Sequence, residues 1–235
     1  MLYVVATPIG NLEDITLRAL RILKEVDCIV AEDTRHSGIF LKKYGIDKPL
    51  LSFHAHSNHP KVEKIIDILK NGKNVALISD AGTPGISDPG FVLIRAALDV
   101  GIPISPIPGP SAFLAALSVS GLPTDKFLYL GFLPRKKGRH TLLLELQNEK
   151  RTIVFYESPH RILRTLEELE SMLGDRCVAI AREITKLYEE IFRGSLSEAK
   201  QHFSQKNIKG EFVIVLGGKN QNLIDRCYIY DILSN

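Results

Sequence analysis

The sequence predicts an α/β protein made of two α/β domains, a parallel-rich N-terminal sheet and a mixed C-terminal sheet with a cleft between them. Three observations carry this. Short apolar runs alternate with amphipathic stretches throughout the first half, the rhythm of strand–helix–strand units with crossover helices. That rhythm breaks at Gly121-Leu122-Pro123-Thr124-Asp125, after which helices per strand fall, as in a mixed sheet. Finally, 235 residues with 45% hydrophobic and 24% charged residues suffice for one large or two small cores and argue against disorder. The boundaries read as 1–121, 122–218 and a tail, 219–235.

In order, Leu2 to Ala6 is the first strand and Thr7-Pro8-Ile9-Gly10-Asn11 its exit loop. Asp14 or Thr16 can cap a helix with Leu17, Leu20 and Leu23 on one face. Cys28 to Ala31 is the second strand, followed by a helix to Tyr44 with Gly45 as its stop. Leu50 to His54 is the third strand. A helix opening at Pro60 turns Val62, Ile65, Ile66 and Leu69 inward and ends at Gly72. Val75 to Ile78 is the fourth strand. It runs into SDAGTPGISDPG, which leads to a helix over Phe91 to Leu98 with Asp88 as N-cap and Pro89 at its first position. Ile104 to Ile107 and an apolar helix from Ser111 to Val119 complete the first half. In the second half, strands fall at Phe127 to Leu130, Thr152 to Tyr156, Val178 to Arg182, Glu189 to Arg193 and Phe212 to Leu216. Helices fit Thr141 to Gln147, Arg161 to Leu173 and the region of Ser197 to Phe203.

Composition narrows the function classes. A net charge of +3 permits an anionic partner without demanding one. Three scattered Cys, with no CxxC, suggest neither a disulfide framework nor a zinc knuckle, and fit a reducing, cytoplasmic setting. No apolar stretch is long enough for a membrane span, and the N-terminal run is too short for a signal peptide. GxxxxGK[ST], GxGxxG and GxSxG are all absent, which disfavours a phosphate-loop nucleotide site, a dinucleotide fold and a hydrolase elbow.

Polar loops follow four first-half strands, at Pro8, Asp33, Asp80 and Pro108, so all four project from the ligand-binding edge of a parallel sheet. Asp80 and Ser87 suit hydroxyls and an ammonium. The N–H groups at Ser111 and Ala112 suit a carboxylate or phosphate, unless Ser111 is only a helix cap. Glu32-Asp33-Thr34-Arg35-His36 concentrates ionisable groups at the end of a buried strand. HAHSNH places His54 and His56 at ligand-like spacing, but no Cys or acid completes a set, so a polar loop is preferred to a metal site. Arg135-Lys136-Lys137-Gly138-Arg139-His140 is the densest positive run and suits a phosphate backbone. Two second-half corners, Tyr156 to Arg161 and Ala181 to Lys186, face the cleft or, for Arg182 with Glu183, form a structural ion pair. Gly210, entering the last strand, would let the backbone approach a bound ring.

Taken together and in this order, TPIGNLEDIT, AEDTRH, SDAGTPGISDPG, PGPSAFLAALSVSGLPTD, GFLPRKKGR, FYESPHRI, AREITK and KGEFVIV resemble the small-subunit ribosomal RNA 2′-O-methyltransferase I family of the tetrapyrrole-methylase superfamily. The resemblance runs to about Gly217. Ser37, where relatives usually carry Thr, and Ser57-Asn58-His59, where they tend to carry Asn and Glu, depart from it. The resemblance implies methylation, from S-adenosyl-L-methionine and without a metal, of a cytidine ribose in the decoding region of 16S rRNA. It also implies a cytoplasmic homodimer acting on the small ribosomal subunit. By the same resemblance the donor contacts are Pro8, Ile9, Asp80, Gly82, Ser87, Ser111 and Ala112, with Tyr156, Ala181, Glu211 and Phe212 from the second domain. Glu32, Asp33 and Arg35 are expected on the acceptor side, with Arg182, Glu183 and Lys186 opposite, and Arg135, Lys136, Lys137 and Arg139 on RNA. The competing readings are a tetrapyrrole C-methylase on the same scaffold and a non-catalytic RNA-binding protein.

Overall fold

The computed structural model describes residues 1–54 and 59–219, His59 without its side chain; most of the HAHSNH string and the tail from 220 lie outside the described residues. The chain divides into two compact units, Met1–Ser111 and Ala112 onward.

The first unit is a five-stranded parallel sheet of β1 (Leu2–Val5), β2 (Cys28–Ala31), β3 (Leu50–Ser52), β4 (Val75–Ile78) and β5 (Ile104–Ile107), in the order β3-β2-β4-β1-β5. Every residue of β2 and β4 is buried, as central strands covered on both faces must be. Alternation sorts their side chains. Ile29, Ala31, Ala76 and Ile78 pack with α1 (Leu17–Glu25) and α2 (Thr34–Lys43); Cys28, Val30, Val75 and Leu77 pack with α3 (His59–Lys70) and α4 (Gly90–Asp99). Handedness explains the split. Crossovers from β1 to β2 and β2 to β3 run toward one edge of the sheet, and those from β3 to β4 and β4 to β5 run back. Right-handed crossovers in opposite directions lay their helices on opposite faces. The loop leaving β4 therefore turns to one face, while the loops leaving its neighbours β1 and β2 turn to the other. A crevice for ligands opens at such reversals, and β4 has one on each side. The returns into β3, β4 and β5 run along the far margin past exposed Gly45, Gly72 and Gly101, where an added Cβ would meet nothing within 4 Å.

Local signals mostly act where the sequence puts them. Thr16 caps α1 by accepting the Ala19 N–H, and Asp33 caps α2 by accepting that of Arg35. Helix α4 begins one residue later than its cap signal: Pro89 occupies the cap position, and Asp88 reaches over it to accept the Gly90 N–H at 2.6 Å.

The second unit begins with α5 (Ala112–Ser118), which packs on the second sheet and buries Ala116 and Leu117. The Pro/Gly-containing break at Gly121–Asp125 therefore lies inside this unit. The sheet comprises β6 (Phe127–Phe132), β7 (Thr152–Glu157), β8 (Cys177–Arg182), β9 (Glu190–Ser195) and β10 (Phe212–Leu216), ordered β6-β7-β10-β8-β9. Only β6 and β7 run parallel, so the sheet is mixed. Strand β6 runs two residues beyond its expected end, through a register shift between Tyr129 and Phe132 where Gly131 has φ 63°. One face packs Ile153, Phe155, Ile180, Phe212 and Ile214 against α6 (Arg139–Leu146), α7 (Ile162–Leu173) and α8 (Leu196–Ser204). On the α5 side, β8 presents Cys177, Ala179 and Ala181, small residues that let a helix approach closely.

Candidate methyl-donor and acceptor site

The carboxyl rim of the first sheet is stitched from loop to loop. Thr7 and Gly82 exchange backbone hydrogen bonds of 2.9 and 3.0 Å, joining the β1 and β4 exits. The Thr7 hydroxyl donates to the Ser79 carbonyl at 3.1 Å, and that of Thr83 to the Pro110 carbonyl at 3.2 Å, bringing in the β5 exit. The Asp33 amide donates to Asp80 Oδ1 at 3.1 Å, which ties the β2 exit to β4. Gly82, at φ 81°, has its missing Cβ 3.4 Å from Ile9 Cγ2 and 3.7 Å from the Pro110 carbonyl. A side chain there would be strained and would press on Ile9 and the Pro110 carbonyl. Pro8, Ile9, Asp80, Gly82 and the Pro110–Ser111 turn are thus neighbours on one rim. Ser87 lies further along the β4 loop, exposed at φ 58°. Below the rim is a small hollow of about 40 Å³, open to solvent and lined by Thr7, Pro8, His36, Ser37, Phe40 and Asp80, among others. The hydroxyl of Ser37, a residue only 2% exposed, has no hydrogen-bond partner among the described residues.

The acids on this rim have different characters. Asp33 is chelated by Arg35, with Nε at 3.1 Å and Nη2 at 2.7 Å, and its carboxylate also caps α2. The guanidinium and the cap hold its pKa far below the usual carboxylate range, so it is a poor proton acceptor at neutral pH. Glu32 is the opposite case. It is half-buried without a hydrogen-bond partner among the described residues, and burial, then the charges of Asp80 and Asp88, push its pKa up. Asp88 is also raised, chiefly by burial, although it accepts the N–H groups of Gly85 at 2.8 Å and Gly90. Gly90 is required for this, since a Cβ would fall 2.8 Å from Asp88 Oδ1.

In the second unit the predicted residues also share an edge. Tyr156, Val213 and Ala181 are register partners across β7, β10 and β8, and so are Glu157, Phe212 and Arg182 one step outward. Tyr156 lies in an aromatic group with Tyr129 and Phe132 (centroids 5.8 and 5.3 Å), and Phe113 of α5 stacks on Tyr129 at 4.4 Å. Burial drives the Tyr156 hydroxyl well above the usual tyrosine range, so it stays protonated. Arg182 and Glu183 do not pair with each other. Arg182 donates to the Lys209 carbonyl at 2.8 Å and pairs with Glu190 at 3.3 Å. Glu183 Oε1 accepts the Lys186 ammonium at 2.8 Å and the Glu211 amide at 2.9 Å. Burial acts to raise the Glu183 pKa, but Lys186 and the Glu211 amide outweigh it and hold it low. Lys186, also bound to Glu211 at 2.9 Å, is raised by its two carboxylates despite partial burial and remains a cation. The space beside Gly210, expected to admit a ligand ring, is filled by the Glu183 side chain.

The basic run separates in two. Arg135, Lys136 and Lys137 are exposed. Arg139, expected with them on RNA, is 7% exposed and belongs to an internal network. Its guanidinium donates to Glu168 at 2.6 Å, Thr165 at 2.8 Å and the Pro134 carbonyl at 3.1 Å, and lies 4.0 Å from Glu157. The Glu157 side chain, fully buried, also takes Arg161 at 2.7 Å and the Thr165 hydroxyl at 2.7 Å. The reason is position: Gly138, left-handed at φ 80°, reverses the chain and turns Arg139 into α6. Sequence reading missed this network because its acids sit on β7 and α7, far along the chain. The alternation of Glu157 with inward Phe155 was the available signal. Among the described residues no three His, Cys, Asp or Glu side chains are grouped as metal ligands.

Residues 1–200 match the family model of the tetrapyrrole (corrin/porphyrin) methylases. The chain is 53% identical, over 93% of its length and 98% of the relative's, to a ribosomal RNA small subunit methyltransferase I of Thermotoga maritima. It is 49% identical to one of Halalkalibacterium halodurans, over 94% of this chain and 77% of that one. A solved cobalt precorrin-4 methyltransferase shares the fold with a TM-score of 0.69 at 20% identity, covering 92% of this chain and 94% of the other.

Proposed function

This chain belongs to the ribosomal RNA small subunit methyltransferase I family of the tetrapyrrole methylases, and from that premise we propose that it transfers a methyl group from S-adenosyl-L-methionine to a cytidine 2′-hydroxyl in the decoding region of 16S rRNA. The observation that carries the reading is identity at 53% over nearly the whole of both chains. The 20% likeness to a precorrin methylase supports the scaffold alone.

The rim chemistry fits such a donor. S-adenosyl-L-methionine supplies an electrophilic methyl on a sulfonium, together with a carboxylate, an ammonium and ribose hydroxyls. Asp80 offers an acceptor to the hydroxyls or ammonium, and Gly82 lets the loops that carry Pro8, Ile9 and Ser111 close up beside it. Pro8, Ile9, Ser87, Ser111 and Ala112 are proposed as further contacts, as are Tyr156, Ala181 and the Glu211–Phe212 backbone of the second unit. Glu32 is proposed as the general base. A ribose hydroxyl attacks well only as its proton leaves, and an unpaired carboxylate with a raised pKa is the stronger acceptor. The exposed Arg35 remains as a cation for the acceptor. The exposed Arg135, Lys136 and Lys137 are proposed to follow the RNA backbone, where each neutralised phosphate strengthens binding. A homodimer in the cytoplasm completes the reading; no described helix is long and apolar enough to cross a membrane.

The test offers labelled donor with 30S subunits lacking the modification, or with a uroporphyrinogen-type substrate. Label on a 2′-O-methylcytidine, mapped by nuclease digestion and mass spectrometry, supports the proposal. Label on the tetrapyrrole, or on an RNA base instead of a sugar, overturns it.

A further inference from the structure

The turn between β8 and β9 is held in an unfavourable backbone conformation. Glu183 (φ 51°) and Thr185 (φ 67°) both occupy the left-handed region, which a β-branched threonine rarely enters. Such conformations persist only where surrounding contacts over-determine them. The contacts converge on the segment that leads into β10. Arg182 Nε donates to the Lys209 carbonyl. Glu183 and Glu211 are joined twice, Glu183 N–H to the Glu211 carbonyl at 2.9 Å and Glu211 N–H to Glu183 Oε1 at 2.9 Å. Lys186 bridges the Glu183 and Glu211 carboxylates at 2.8 and 2.9 Å. The Thr185 amide donates to Glu189 at 2.6 Å. Gly210 makes this possible. It is left-handed itself, at φ 91°, and a Cβ on it would lie 2.5 Å from Glu183 Cδ and 2.6 Å from Oε1.

We propose that Gly210 and Glu183 are positioning residues, a clasp whose task is to fix the Glu211–Phe212 main chain and thereby set affinity for the methyl donor. Glu183 does not take a proton in this scheme: two donors occupy Oε1, and its pKa is held low. Lys186 is likewise committed to two carboxylates and serves as the bolt of the clasp. The strain at Glu183 and Thr185 is the cost of bringing a carboxylate onto a glycine at the head of β10. This inference rests on the proposed donor role of the Glu211–Phe212 backbone.

Donor affinity is measured by calorimetry with S-adenosyl-L-methionine on the full chain, with steady-state methylation beside it. Gly210→Ala is expected to weaken donor binding at least tenfold and raise the donor KM alike, with kcat at saturating donor within threefold of wild type. Glu183→Ala should do the same. Glu183→Gln keeps an acceptor for the Glu211 amide and should recover binding to within threefold, a rescue that a proton-accepting role would not show. In Gly210→Ala/Glu183→Ala the clash is gone and only the left-handed strain on Ala at position 210 remains, so the two losses should be less than additive. Thermal melts and circular dichroism identify variants that do not fold. If Gly210→Ala folds too poorly, the Glu183 pair alone decides. Folded variants that bind like wild type overturn the clasp, as does a fall in kcat with donor affinity unchanged. Wild type that binds no donor overturns the parent reading instead.

Discussion

Replacing Arg139 with alanine should destabilise the second unit without touching the exposed cations Arg135, Lys136 and Lys137. The side chain has 9% exposure and the Glu157 side chain none, so removing the guanidinium leaves a buried carboxylate and the Pro134 carbonyl short of a partner. Breaking a buried pair by deleting one member costs about 3–5 kcal/mol. Glu157 keeps Arg161 at 2.7 Å, the Thr165 hydroxyl and the Ser158 amide, and Glu168 keeps Arg164 at 2.8 Å. The loss should therefore fall near the lower end, about 3 kcal/mol. At roughly 2–4 °C per kcal/mol for a chain of this size, melting should drop by about 6–12 °C. Urea titration and thermal melts on Arg139→Ala, with Arg135→Ala as the exposed control, measure it. The control should stay within about 0.5 kcal/mol of wild type. Arg139→Lys should recover less than half of the loss, because a point charge cannot serve three acceptors set out for a planar fork. An Arg139→Ala protein as stable as wild type, but with a weaker salt dependence of rRNA binding, would refute the assignment and return Arg139 to the interface.

Lys136→Ala/Lys137→Ala should leave melting unchanged and reduce the slope of log affinity against log salt by about 1.5, measured by filter binding to rRNA. For wild type, kcat/KM should rise with pH through a value above the ordinary glutamate pKa, since the base must be ionised and Glu32 is raised. Glu32→Gln should lose that limb and about 10²-fold or more in single-turnover rate. Because its folded pKa lies above the unfolded one, Glu32 contributes stability below the unfolded value and loses it as pH rises, so Glu32→Gln should melt above wild type at pH 7. Glu190 has the reverse sign. Burial would raise it, but Lys206, His202 and Arg182 hold it down to about 2, so its contribution is present above the unfolded value and lost as pH falls toward 2. Glu190→Gln should cost about 1–2 kcal/mol at pH 7, the solvent around Lys206 and His202 screening part of the attraction, with the two unfolding curves converging near pH 2; parallel curves would count against the cluster.

The first unit was readable because its signals are local. Four-residue apolar runs, capping residues and stop glycines each act within a few positions, and parallel pairing then forces all four polar exits onto one rim. What escaped depends on partners distant in sequence. Arg139 reads as one more cation in a basic run until Glu157, Thr165 and Glu168 close around it. Asp33 is a local exception: it reads as one ionisable group in a run until Arg35, two residues on, folds back to grip it. Gly210 looks like room for a ligand, and Glu183 fills the room. The division at Ser111 was hidden as well, because the apolar pattern of α5 says that it must be buried but not against which sheet.

The far margin of the first sheet has a practical use. Its return turns at Gly45, Gly72 and Gly101 open onto solvent, a whole strand length from the exit loops of the carboxyl rim. Inserted peptides, affinity handles or dyes are best tolerated at such exposed tips. A fluorophore attached at the neighbouring exposed position 71, which carries no left-handed backbone, would report on handling of the protein while leaving the opposite rim unencumbered.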